Sequence, residues 1–170
     1  MRVPSRRTST KAVERSKLNT AAPRYGALTA DEMMNKTSDD LLLGAAFHEA
    51  GHVIVAMHFG LTVGEIEISD DGSSRSQIAS PDSLPLVDQI ALCVAGIEAQ
   101  ELFNCHTHEL AAAADYGKVI GLLNGLTDVE ILQHRVAAYR RALEILEKRR
   151  AEVERLAHHL IAHRHAHGLG

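Results

Sequence analysis

His48-Glu49-Ala50-Gly51-His52 is the stretch whose residue types and spacing point to chemistry. On a helix, residues four apart lie one above the other, so His48 and His52 aim two imidazoles at one point while Glu49 sits on the same turn. Two neutral imidazoles supply two of the three protein ligands of a catalytic zinc, and a water takes the open position. A metal there lowers the water's pKa toward about 7, and Glu49 is placed to take its proton and pass it to a leaving amine. The competing reading is an ordinary amphipathic helix with two satisfied histidines and a solvated glutamate. Against it, the run is apolar on both sides, which buries the imidazoles and requires partners for them. Gly51 leaves room for another backbone to approach.

The helix that carries the pair is expected over residues 39–59. Thr37 and Ser38 offer N-cap oxygens, Asp39 and Asp40 suit its positive end, and Gly60 closes it. Residues 62–69 alternate apolar with polar, the period of a half-buried strand. A turn follows at 70–74, then a weaker strand around 77–79. An edge strand here would hold a substrate backbone by strand addition, and a plain structural hairpin fits the same pattern. Further helices are expected over 86–104, with Pro85 in an N1-like place, over 109–120, and over 129–149 and 151–166. Val129, Leu132, Val136, Tyr139, Leu143 and Leu146 form a stripe at 3,4 spacing that faces the core or a partner. The stripe lapses at Arg150, which predicts a helical hairpin rather than one long rod. The fold class is mainly α, with a small strand or hairpin element after the motif helix.

A chain of 170 residues, 45% apolar, is one domain's worth and can bury a core. With no tryptophan and 4% aromatic residues, aliphatic helix packing dominates. Cys93 and Cys105, without a secretory signal or an apolar run long enough to span a bilayer, point to a reducing cytoplasm, and Cys93 reads as a buried thiol. Residues 1–24 carry +6 while the whole chain is −4, so the remainder carries −10. The Arg/Ser/Thr-rich head has no apolar period and reads, with a linker up to residue 38, as a disordered arm preceding a domain over 39–167. Contact with nucleic acid or an acidic partner, or a transit peptide, is open to such an arm. A solvated tail is the favoured reading, with no nucleic acid expected.

A zinc hydrolase needs a third ligand. His58 lies six residues beyond His52, the metzincin spacing, but Val55 stands where that motif has its turning glycine. A continuing helix rotates by roughly 240° over six residues and points His58 away from the metal. Glu98 and Glu101 lie on a later helix and remain open. So does Asp115, an acid beside a run of alanines, for which a solvated helical side chain is the bland reading.

Residues 46–55 with the two histidines, the strand 63–69, Val94-Ala95-Gly96-Ile97-Glu98-Ala99-Gln100-Glu101-Leu102-Phe103 and the helix with Ala114-Asp115 resemble the peptidase domain of FtsH-type ATP-dependent zinc metalloproteases. Residues 138–146 and 153–160 are similar to that family's final helices, and the order is kept over about residues 43–165. The resemblance implies a helical zincin-like metallopeptidase domain, with zinc held by His48, His52 and Asp115 and with Glu49 as the catalytic glutamate. The family's approach to its aspartate is replaced here by Cys105-His106-Thr107-His108-Glu109-Leu110-Ala111-Ala112-Ala113, so His106, His108 and Glu109 stand as substitutes for the third ligand. The ATPase module has no counterpart in these residues. A standalone endopeptidase of this kind is expected to act on peptides or unfolded protein, with a homo-oligomeric ring or an ATPase partner in trans.

Two other readings compete: a non-catalytic zinc-containing interaction module, and a helical bundle without metal. His158, His159, His163, His165 and His167 form a second metal-capable cluster, favoured as a solvated helix end that collects metal during purification.

Overall fold

The computed structural model describes residues 38–105 and 109–168. The basic arm, its linker and the cap expected at Thr37 lie outside the described residues. The fold is mainly helical: α1 (Ser38–His58), α2 (Leu86–Phe103), α3 (Glu109–Leu122), α4 (Asp128–Lys148) and α5 (Arg150–His163) are joined by a three-stranded antiparallel sheet of β1 (Val63–Ile68), β2 (Ser74–Ile78) and β3 (His165–Ala166), which packs on α1 and α5.

α1 is the central element. Residues 44–56 are buried all round, as a helix apolar on every face must be, and α2, α5 and the strands cover it. By length and composition α1 is apolar enough to cross a membrane, contrary to the expectation from sequence, yet 78% of that stretch is buried inside the protein. It ends as anticipated. Gly60 takes φ +74°, and the Leu61 amide returns to the Ala56 carbonyl at 3.0 Å. Gly51 admits α2 closely: a Cβ there would lie 2.4 Å from the Ala95 carbonyl oxygen and 2.6 Å from the Ala99 Cβ.

The sheet order is β2-β1-β3, so β1 is central and the edges belong to β2 and the two-residue β3. The sequence left strand addition and a plain structural hairpin both open for this region, and its second strand, expected around 77–79, covers only the end of β2. A tight hairpin closes on Gly72 (φ +79°), with Asp71 Oδ1 accepting from the Ser73 amide and hydroxyl, and it sets Ile68 opposite Ser74.

Pro85 caps α2, and Thr127 caps α4 in a capping box with Glu130. The break expected at Arg150 falls at Arg149, whose guanidinium donates to the Ile54 carbonyl of α1 and pairs with Glu152. The break separates two helices as expected, but they do not pack on each other. α4 lies on α2, α5 lies on α1, and they barely touch each other. The stripe is split for the same reason: Leu146 is fully buried, whereas Val129, Leu132 and Val136 are exposed, and Ala138, Ala142 and Ile145 form the inner face of α4.

Candidate metal centre

α1 is helical through the motif, so His48 and His52 project from one face on successive turns, both buried. α3 brings Asp115 to the same point. Asp115 Oδ2 lies 2.9 Å from His52 Nε2 and 3.1 Å from His48 Nε2, and the two Nε2 atoms are 3.1 Å apart. Among the described residues this is the only group of three such side chains whose donor atoms gather within 4.8 Å.

The ring of His52 is oriented by its far nitrogen: Nδ1–H donates to the Leu92 carbonyl of α2 at 2.8 Å. A carbonyl can only accept, so in the neutral ring Nε2 carries a lone pair toward the other two donors. Three electron-rich atoms about 3 Å apart in a buried site repel one another unless a metal cation or a shared proton sits between them. His48 Nδ1, the ring nitrogen turned away from this cluster, is buried with no hydrogen-bond partner among the described residues. Two imidazoles and one carboxylate converging with an open side are the donor set of a divalent metal centre, and the three residues could hold such an ion.

Burial opposes charge on both His52 and Asp115, but their mutual interaction outweighs it. The His52 pKa is raised by the Asp115 carboxylate, and the Asp115 carboxyl is held far below the usual range by bonds from His48, His52 and Lys118. Lys118, three residues on in α3, donates to Asp115 Oδ1 at 2.9 Å and so leaves Oδ2 facing the histidines.

Glu49 lines the same cleft, of about 450 Å³, together with β2 and Lys118. Its Oε1 accepts from Ser74 Oγ at 2.7 Å, which fixes one carboxylate oxygen. Ser74 and Lys118 were not anticipated from sequence. Gly96 appeared there only as part of a motif, yet it is a condition for the site: a Cβ at that position would lie 2.5 Å from His48 Cε1 and 2.6 Å from His52 Nε2. A glycine inside an otherwise apolar helix is the signal that points to such a close approach.

Of the other ligand candidates, His58 is exposed at the end of α1, as the rotation argument required. His106 and His108, and the side chain of Glu109, lie outside the described residues. Glu98 and Glu101 do not line the cleft. Glu98 is half-buried, and burial, then the neighbouring Glu101, push its carboxyl up to about 7. The folded protein therefore binds more protons than the unfolded chain between the ordinary value of 4.5 and about 7, so this group's contribution to stability falls as pH rises through that window. Glu98→Gln is expected to match the parent in unfolding free energy below pH 4.5 and to exceed it by about 1 kcal/mol at pH 8, after allowance for solvent screening, with a higher urea midpoint at pH 8 as the readout. Equal midpoints at both pH values would show that the carboxyl feels no burial.

No protein-family model matches the sequence, and a comparison with curated proteins gives no match.

Proposed function

We propose that the protein is a zinc metallopeptidase with an FtsH-like, zincin-type arrangement, cleaving peptide bonds in unstructured protein segments. The observation that carries this reading is the convergence of His48, His52 and Asp115 with a buried Glu49 on the same helical turn as the first histidine. Zinc at this position supplies Lewis acidity, which makes a water acidic enough to give up a proton near neutral pH. Glu49 accepts that proton and returns it to the amine nitrogen of the leaving half, while Ser74 holds its carboxylate in place. The outer edge of β2, which has no partner strand among the described residues, runs along the cleft and suits main-chain pairing with an extended substrate. The same donor set suits ferrous iron, but an oxygenase has no use for a buried carboxylate base beside the metal, and Glu49 favours hydrolysis.

The resemblance in motif order to FtsH-type peptidases supports the same assignment. A loose substrate can enter directly, and an oligomeric ring or an ATPase partner in trans would deliver folded ones. Both cysteines are buried free thiols, each pushed up to about 11 by burial, which suits a reducing compartment such as the cytoplasm.

Glu49→Gln tests the proposal. Cleavage of an unfolded protein substrate is expected to fall by about 10²–10⁴-fold, with zinc content and melting temperature unchanged. Equal behaviour of the two proteins over a broad peptide panel would instead assign the zinc fold to a non-catalytic interaction module.

A further inference from the structure

A second cluster of ligands lies at the C-terminal end. α5 stops at His163, and Arg164 takes the left-handed conformation (φ 64°), which turns the chain back so that His165 and Ala166 pair with Glu67 and Ile66 of β1. The reversal places His159, His163, His165 and His167 around one open cavity of about 650 Å³, which shares no lining residue with the cleft at Asp115. His159 and His163 are one turn apart, and their ring centroids lie 4.4 Å from each other. His158 is not part of the group, since it packs edge-on to Phe47. Glu152 reaches the cavity wall, but its carboxylate is engaged by Arg149. The donors are therefore imidazoles alone.

We propose that these four histidines form a second metal site, for a divalent transition ion of the zinc, nickel or copper type, and that the ion clamps the C-terminal strand onto α5. Neutral imidazoles suit those ions, and the absence of free carboxylates among the donors argues against magnesium and calcium. The helical pair is a ready two-point chelate, because an i, i+4 spacing aims both rings at one ion. His165 and His167 are exposed and free to change rotamer, and they complete the set by folding onto that pair. Three of these donors do not already gather as tightly as the first triad does, so binding draws the tail in. The clamp has something to hold: β3 pairs with β1 through only two positions. An ion that bridges helix and strand stabilises the folded form by mass action.

The test uses the full-length protein made without an affinity tag, stripped with chelator and titrated with zinc. The variants are His159→Ala/His163→Ala and His165→Ala/His167→Ala, and all four side chains are exposed, so the fold tolerates them. One zinc equivalent is expected to weaken at least about tenfold in each double variant, and the zinc-dependent rise in melting temperature to shrink with it. That equivalent is expected to persist in Asp115→Ala, which keeps the two sites distinguishable. An unchanged titration in the His159/His163 variant overturns the site, and an unchanged titration in the His165/His167 variant overturns the clamp.

Discussion

Asp115→Ala is expected to empty the first metal centre. The parent, purified and equilibrated with zinc, is expected to hold one ion at this site, and the variant to lose at least about a hundredfold in affinity, since even the loss of an outer supporting group costs 10–100-fold. The reason is the donor set: Asp115 supplies its only anion, and without it two imidazoles one turn apart remain. The fold is expected to survive. Lys118 loses an acceptor, but its side chain is 65% exposed and turns to water. His52 loses the carboxylate that favours its charged form and keeps its bond to the Leu92 carbonyl. Metal analysis with circular dichroism on the same samples reads both quantities. Zinc held at the parent's affinity by a folded variant would place the third ligand elsewhere and remove the basis of the proposed activity.

Gly96→Ala is expected to separate metal binding from folding. A methyl group at this position meets His48 Nδ1 at 2.6 Å and His52 Nε2 at 2.6 Å. Something has to move, and the His52 ring is tied to a carbonyl one turn earlier on the same helix. Catalytic and metal constellations tolerate displacements of only about 0.5 Å, so zinc affinity is expected to fall by about a hundredfold or more, and the proposed peptidase activity with it. Stability changes little by comparison. Alanine gains roughly 1 kcal/mol over glycine inside a helix, and overpacking typically takes back about 1–3 kcal/mol. Zinc titration and urea unfolding of the metal-free protein measure the two effects separately. Unchanged zinc affinity would mean that the rings step aside freely and that the glycine serves only helix packing.

The motif helix was legible because two physical signals agree there: an apolar run with Gly60 at its end, and donors four residues apart. Asp115 could not be singled out by spacing, since His52 stands 63 residues earlier and His48 earlier still, and only the tertiary fold brings α3 across α2 to meet them. The resemblance to FtsH-type peptidases pointed to it, and the structure brings it to the two histidines. Ser74 escaped notice because a serine after Asp-Gly-Ser reads as turn chemistry, and its bond to Glu49 depends on hairpin register. β3 carries no period at all in two residues. The stripe on α4 is fully buried only at Leu146, because helical spacing says which residues share a face, not what covers it. The inner face of α4 uses the small side chains of Ala138 and Ala142, which let α2 come close.

The two apolar clusters meet at the site. His48 and His52 belong to the helix at the centre of the cluster that includes β1 and α5, while α3 is held through Val119 and Leu123 to the other, with α2 and α4. Asp115 is thus the ligand that reaches across the seam. Without an ion, α3 has few apolar anchors and can open as its own cooperative unit. With an ion in place, detaching α3 means breaking a coordination bond, so the two units open together. Amide hydrogen exchange in α3 would then follow the free zinc concentration, making this helix a local reporter of occupancy even where the stability of the whole chain hardly changes.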